Sequence, residues 1–117
     1  MAMDVTKLRK LVALDENDPL SRFALGKKLF ETGENLEESA GHLRFANEKS
    51  PGHLATYHIL AQVLIRLGER DEARRVLTAG MERVAGVGEG MGRDLGPMMQ
   101  EMLQSLEMTN DQVPKSQ

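Results

Sequence analysis

The feature that most constrains this chain is a set of residue types that returns after 34 or 35 positions. A recurrence at this period is typical of stacked structural repeats, because a single short unit cannot bury its own apolar face and neighbouring units must share one core. The sequence therefore predicts two copies of one unit. The matching positions are Leu25-Gly26 and Leu60-Ala61, Leu29 and Leu64, Gly33 and Gly68, Ser39 and Ala73, Leu43 and Leu77, and Ala46 and Gly80.

Each copy has the pattern of two amphipathic helices joined by a short turn. In the second copy Tyr57, Leu60 and Leu64 lie at helical spacing, Gly68 follows as a turn, and a second apolar face begins at Ala73. Aromatic residues make up only 3% of the chain, and its apolar positions are mostly Leu, Ala, Val and Met, which favour helix over sheet. The predicted fold class is therefore all-α.

One small domain is expected from 117 residues, since this length can bury a modest core but leaves no room for a second lobe. Asp18 followed by Pro19 is typical of the start of a helix, and Asn35 with Glu38 has the form of a capping box. The predicted domain covers 1–108: a helix at 4–14, repeat one at 18–50, repeat two at 53–84, a Gly-rich loop at 85–93 and a capping helix at 94–108, followed by a disordered tail at 109–117.

These residues resemble the tetratricopeptide repeats, whose pattern is an aromatic residue, Leu-Gly, Tyr, and later Ala, an aromatic residue and Pro. The first copy departs from the pattern because Arg22 stands at the initial aromatic position, and we expect the neighbouring Phe23 to fill that space. The resemblance implies antiparallel helix hairpins stacked into a superhelix of about six helices. Its best-matching residues are Tyr57, Leu60, Ala61, Leu64, Gly68, Ala73, Leu77 and Gly80.

The resemblance also implies a concave groove, lined by the first helix of each hairpin, that holds an extended or helical peptide. Residues outside the apolar faces that seal each hairpin are the candidates for this groove. Two explanations remain open for them, namely binding of a protein partner and cover by the last helix of this chain. The family's paired Asn and Lys clamp for a C-terminal carboxylate is not reproduced. The candidate groove residues are Phe23, Lys27, Phe30, His58, Gln62, Ile65 and Arg66.

Charge and hydropathy argue against nucleic acid and membrane partners. The net charge is −3, and Lys and Arg are spread along the predicted helices and balanced by Asp and Glu, so no basic surface for a phosphate backbone is indicated. The uninterrupted apolar runs are far shorter than the roughly 20 residues that a bilayer requires, and no signal peptide is visible. We expect a cytoplasmic protein.

No constellation of residues predicts chemistry, so we expect no enzyme activity, catalytic residue, cofactor or metal. The chain has no Cys, and His42, His53 and His58 do not share one helical face as metal ligands would. The glycine run from Gly86 to Gly92 lacks the preceding strand and the Lys-Ser or Lys-Thr pair of a phosphate-binding loop.

Six of the eight Met residues lie from Met81 onward. They predict either a last helix that packs on the second hairpin or an adaptable binding surface, because flexible thioether side chains suit both. The leading hypothesis is a non-enzymatic adaptor or scaffold that binds an unidentified protein or peptide in the groove. The alternative is a homo-oligomeric assembly element that uses exposed Phe and Met residues, and a weak homodimer is one expected partner. A stable dimer whose contacts bury Phe23, Phe30 and Met102 would remove the free groove.

Overall fold

The computed structural model describes residues 3–87 and 94–112, and within this part all regular structure is helical. The all-α prediction is confirmed there. None of the helices in these two ranges is long and apolar enough to cross a bilayer. The helices are α1 (Val5–Leu14), α2 (Pro19–Thr32), α3 (Leu36–Lys49), α4 (Leu54–Arg66), α5 (Arg70–Val87) and α6 (Leu95–Gln112).

Local side-chain and backbone features set most of the helix ends. The side chains of Asp4, Asp18 and Asn35 each accept a hydrogen bond from a backbone N–H in the first turn of α1, α2 and α3. Gly33 and Gly68 have φ values of 71° and 82°, a left-handed conformation that costs glycine little and that ends a helix. The predicted turns between the helices of each hairpin therefore lie where the sequence placed them.

Two helices extend further than expected. α5 continues through Val87, so the first three residues of the expected glycine-rich loop are helical. A lone Gly86 explains this, because one glycine in a helix costs only about 1 kcal/mol. α6 continues through Gln112, four residues into the expected disordered tail, where no Gly or Pro interrupts it. The rest of both predicted segments, 88–93 and 113–117, lies outside the described residues.

The helices form two layers. α2 and α3 pack as one antiparallel hairpin and α4 and α5 as the next, with α3 lying against α4. α1 packs on α2, while α6 packs on α5 and α4 and, in the described ranges, makes no contact with α2. One layer therefore contains α2, α4 and α6, and the other contains α1, α3 and α5. The last helix caps the second hairpin and leaves the surface between α2 and α4 uncovered.

The two helices of the first hairpin approach closely at Gly26. A Cβ atom on this residue would lie 2.7 Å from the Cγ atom of Leu43, so only glycine fits without a shift. The buried Oγ atom of Ser39 donates a 2.6 Å hydrogen bond to the carbonyl of Gly26. This bond gives the buried hydroxyl of Ser39 a partner. Serine can therefore stand at a position where the tetratricopeptide pattern has Ala.

α6 is anchored on the second hairpin through Met99, whose side chain is fully buried. A Cβ atom built on Gly80 would lie 2.8 Å from both the Sδ atom of Met99 and the Cβ atom of Tyr57. The absence of a side chain at Gly80 therefore lets α4, α5 and α6 meet at one point. This contact fixes where the last helix lies.

Candidate functional site

The predicted groove residues lie on equivalent positions of α2 and α4. Phe23, Lys27 and Phe30 are each 35 residues before His58, Gln62 and Ile65, and Arg66 is 35 residues after Glu31. α2 and α4 are neighbours in one layer and pack against each other. The candidates therefore form two matching rows on adjacent helices, and the following contacts show how each row is held.

Arg66 and Phe30 connect the two rows. The guanidinium carbon of Arg66 lies 5.1 Å from the centroid of the Phe30 ring, within the range of a cation–π interaction. Phe30 is half-buried and Arg66 is exposed. The aromatic ring is thus held between the helices, while the charge above it remains accessible to solvent.

Phe23 lies at the other end of the α2 row. Its ring packs edge-on against His53, with the ring centroids 4.8 Å apart and the planes at 78°. Because His53 precedes the first residue of α4, this contact ties the start of α4 to α2. Phe23 and Lys27 also line a cleft of about 360 Å³ with Leu8 of α1. The α2 row therefore borders both α1 and α4.

The expectation that Phe23 fills the space of the missing aromatic residue is wrong, because Arg22 fills that space itself. The Arg22 guanidinium carbon lies 4.3 Å from the centroid of the Phe45 ring in α3. Its Nε atom donates a 2.9 Å hydrogen bond to the carbonyl of Glu16. A planar guanidinium can stack on a ring as an aromatic side chain does, which explains how Arg22 substitutes for one.

His58 and Gln62 form the polar part of the α4 row. The Nε2 atom of Gln62 lies 3.3 Å from the Nδ1 atom of His58, one helical turn away. Partial burial lowers the pKa of His58, because desolvation disfavours its charged form. The imidazole is therefore neutral near pH 7, and the pair offers hydrogen-bonding groups without a net charge.

Positive charge predominates along the two rows. Lys27 and Lys28 lie on α2, with their Nζ atoms 3.7 and 3.8 Å from carboxylate oxygens of Glu31. Arg66 lies on α4 and forms no ion pair with a described residue. Glu31 is thus shared by two lysines, and the two rows carry an excess of positive charge.

Ile65 lines a cleft that contains none of the other six candidates. This cleft of about 380 Å³ also includes Arg70, Met102 and Leu106, where α4, α5 and α6 meet. The sequence grouped Ile65 with Phe30 because they are equivalent, and the equivalence holds: Phe30 borders α4, the next helix of the layer, and Ile65 borders α6, the helix after that. The other six predicted residues remain the candidates for a groove between α2 and α4.

The expected exposed Phe surface is not found, since Phe23, Phe30 and Phe45 are all half-buried. The methionines of α6 lie in two different environments. Met99 is fully buried, whereas Met98 and Met108 are 40% and 62% exposed. Part of the Met-rich face therefore packs on the second hairpin and part of it faces solvent.

Two equivalent ion pairs join the helices of the layer that contains α1, α3 and α5. The sequence analysis did not predict them. The Arg9 guanidinium of α1 pairs with Glu38 of α3, and Arg44 of α3 makes two 2.8 Å hydrogen bonds to Glu72 of α5. These cations lower the pKa of both glutamates. The sequence contains a signal for these ion pairs, because their residues recur with the period of the repeat. Arg9 and Arg44 are 35 residues apart, and Glu38 and Glu72 are 34 apart.

This pairing also corrects the expected capping box. Asn35 caps the N–H of Glu38 as predicted. The Glu38 carboxylate, however, pairs with Arg9 and lies 3.1 Å from the Nε2 atom of His42. A guanidinium from a neighbouring helix is a stronger partner for a carboxylate than a backbone N–H, which explains the difference.

Across residues 3–87 and 94–112, no three His, Asp or Glu side chains are placed to hold a metal ion. His53 lies 2.7 Å from the Thr56 hydroxyl, and His42 and His58 have the separate partners described above. Rings, cations and an amide on two adjacent helices can bind a segment of another molecule by contact.

Two solved structures share this arrangement of helices. The type III secretion translocator chaperone SycD of Yersinia enterocolitica superposes with a TM-score of 0.83 at 18% identity, over 92% of this chain and 72% of that one. The TPR2B domain of yeast Sti1, from its complex with pHsp70, superposes with a TM-score of 0.76 at 17% identity, over 90% of this chain and 81% of that one. The fold is therefore of the tetratricopeptide type, as the repeat predicted. No family model and no curated protein matches this chain by sequence.

Proposed function

We propose that this protein is a non-enzymatic interaction module that binds a segment of a protein partner in the groove between α2 and α4. The observation that carries the proposal is the pair of matching rows on these helices. They leave Phe30 and Arg66 in contact with each other, accessible from solvent and uncovered by α6. Residues needed only to seal the hairpins would be buried, as Leu29 and Leu64 are.

The chemistry of the rows favours a particular kind of segment. Phe23 and Phe30 offer half-buried aromatic surface, and Lys27 and Arg66 offer cationic donors beside it. Gln62 adds an amide. A partner segment that carries apolar side chains together with carboxylates would match this combination, because cations bind carboxylates through charge-assisted hydrogen bonds and rings bury apolar side chains.

The two similar structures support a protein as the partner. One is a translocator chaperone, and the other is a domain in a complex with pHsp70. The description of each therefore names a protein with which it acts or is bound. Their low identity to this chain transfers the fold alone. The nature of the partner segment rests on the side chains of this groove.

A selection from a peptide library, followed by titration of the selected peptide into the full chain, tests the proposal. Replacing Phe23, Lys27 and Arg66 with Ala should raise the dissociation constant by about tenfold or more, since each 1.4 kcal/mol of lost contact is a factor of ten. Amide shifts in the NMR spectrum should fall on α2 and α4. Shifts confined to the other layer would contradict the proposed site.

The matched control changes the same residue types on the opposite layer. Phe45, Lys49 and Arg75 lie on α3 and α5, where Phe45 is half-buried and the two cations are exposed. Replacing these three with Ala should leave the dissociation constant within about twofold, because residues outside an interface contribute little to binding. Loss of the Phe45 ring also removes the Arg22 stack, so this variant should be less stable than the wild type and controls for destabilisation. Equal losses in both variants would attribute the effect to stability and reject the groove.

A further inference from the structure

A cleft of about 490 Å³ lies where α3, α4 and α5 meet, and it is lined mainly by residues of α3 and α5. It therefore belongs to the layer opposite the proposed groove. Leu60, Val76 and the ring of Phe45 form its apolar walls, and the Arg44–Glu72 ion pair borders it. The cleft thus combines apolar surface with two charges that already neutralise each other.

Asn47 places an unpaired amide beside this cleft. Its side chain lines the cleft, and its buried Nδ2 atom meets no hydrogen-bond acceptor among the described residues. A buried donor without an acceptor destabilises a folded protein, so each such group needs an explanation. The terminal torsion of an Asn side chain is soft, and a small rotation turns Nδ2 toward the cleft. An acceptor atom that enters the cleft would therefore find a donor.

The repeat itself does not require an amide at this position. Val12 is 35 residues before Asn47, and Met81 is 34 residues after it. Val12 is buried in the apolar cluster of α1 and α2, and Met81 packs as a half-buried side chain against the core. An apolar side chain therefore serves the packing of α1 and α5 at the place where α3 has Asn47. Stability does not explain the amide.

The equivalent cleft of the preceding unit has no such unpaired group on its walls. This cleft of about 370 Å³ lies between α1, α2 and α3. Val12 takes the place of Asn47 there, and His42 takes the place of Val76. The Nε2 atom of His42 lies 3.1 Å from Glu38, so the imidazole has a partner within the chain. The second cleft differs because it combines an unpaired amide with an apolar wall.

We propose that the cleft between α3, α4 and α5 binds a segment of a protein partner in which an apolar side chain stands next to a Lys or Arg. The Nδ2 atom of Asn47 donates to a main-chain carbonyl of the segment, and the apolar side chain packs against Leu60 and Val76. Glu48 also lines the cleft, is exposed and forms no ion pair with a described side chain. Its carboxylate is therefore available to the cation of the segment.

This cleft and the proposed groove favour segments of opposite charge. The two rows of the groove carry Lys27 and Arg66, which suit carboxylates, whereas the unpaired charge at the cleft is the carboxylate of Glu48. The two sites lie on opposite layers, so two segments can be bound at once. The protein then acts as a scaffold that brings an acidic and a basic segment together. The inference about the cleft rests on its own residues and does not depend on the groove.

Titration of a defined peptide under NMR tests the cleft directly. The probe is acetyl-Gly-Leu-Lys-Gly-amide, added to the full chain up to about 10 mM, the range in which a contact of this size binds. The side-chain NH₂ resonances of Asn47 should move together with backbone amides of α3 and α5. Replacing Leu by Ala in the peptide should weaken binding about tenfold, and replacing Lys by Glu about two- to fivefold. Resonances of Asn47 that do not move, or shifts confined to α2, would overturn the proposal.

Replacing Asn47 with Met, the residue of the next unit at this position, separates a binding role from a structural one. Asn47→Met should unfold at the same or a higher urea concentration than the wild type and should bind the peptide about tenfold more weakly. The matched control is Gln62→Met, which makes the same change from amide to thioether in the rows of the groove and should leave this binding unchanged. An Asn47→Met variant that unfolds at a lower urea concentration, or that binds the peptide as the wild type does, would overturn the assignment.

Discussion

Arg22 and Tyr57 occupy the same position in successive units, and each donates a hydrogen bond to the backbone carbonyl six residues before it. The Arg22 Nε atom donates to Glu16 over 2.9 Å, and the Tyr57 hydroxyl donates to Pro51 over 2.6 Å. Both bonds fix the turn that leads into the first helix of a unit. In this chain the position therefore holds a flat side chain with a donor in both units, supplied once by a guanidinium and once by a phenol.

Replacing Arg22 with Lys should destabilise the fold although the charge is kept. Lysine loses both the planar stack on Phe45 and the Nε donor, so the free energy of unfolding should fall by about 1 kcal/mol. Tyr57→Phe should cost a similar amount, since the bond from the Tyr57 hydroxyl to the carbonyl of Pro51 is lost. Urea unfolding measures both. An Arg22→Lys variant as stable as the wild type would contradict this role.

A charge at Ala73 should unfold the domain. Ala73 is fully buried in the second hairpin, and a glutamate there would place an unpaired charge between α4 and α5. Ala73→Glu should abolish the cooperative melting seen by circular dichroism. The control is Ala79→Glu on the exposed side of the same helix, which should melt close to the wild type. An unchanged melting temperature for Ala73→Glu would show that the assigned register is wrong.

Adding one methyl group at Gly80 should loosen α6. The new Cβ atom would lie 2.8 Å from Tyr57 and from Met99, so Gly80→Ala should lower the free energy of unfolding by about 1–3 kcal/mol. Gly41→Ala is the matched control, because a Cβ atom there meets nothing within 4 Å. It should stabilise the protein by up to about 1 kcal/mol through helix propensity. Urea unfolding compares the two variants, and equal effects would exclude steric contact as the cause.

Acidification should weaken the repeated ion pairs. Because Arg9 and Arg44 lower the pKa of Glu38 and Glu72 in the folded state, the unfolded chain takes up protons first as the pH falls. The stability from these pairs is full above the ordinary glutamate pKa of about 4.3 and is lost as the pH falls through the lowered values. Both pairs contact solvent, so the Arg44–Glu72 pair should contribute no more than about 1 kcal/mol.

Urea unfolding between about pH 6 and pH 3 measures this loss. A Glu38→Gln/Glu72→Gln variant should be less stable than the wild type at pH 6 and should depend less steeply on pH. Glu37→Gln, at an exposed position beside Glu38, is the control and should keep the slope of the wild type. Identical slopes for all three proteins would mean that the pairs are not formed in solution.

The two matching rows were predictable because they follow from the repeat. Equivalent positions of α2 and α4 share a face, and the groove that these rows would line remains a prediction. The sequence could not predict the surroundings of Ile65, because they depend on where α6 lies. The contact between Gly80 and Met99, which are distant in sequence, decides the position of α6. The role of Arg22 was missed for a similar reason: its ring partner, Phe45, is on another helix.

The sequence by itself determined the helices, most of their ends and the stacking of the units. These depend on short-range features, namely apolar spacing, capping by Asp4, Asp18 and Asn35, and the left-handed glycines of the turns. Only the tertiary structure decided the partner of Glu38, the environment of Ile65 and the position of α6. Each of these depends on which distant side chains meet, and that follows from packing between helices rather than from local propensity.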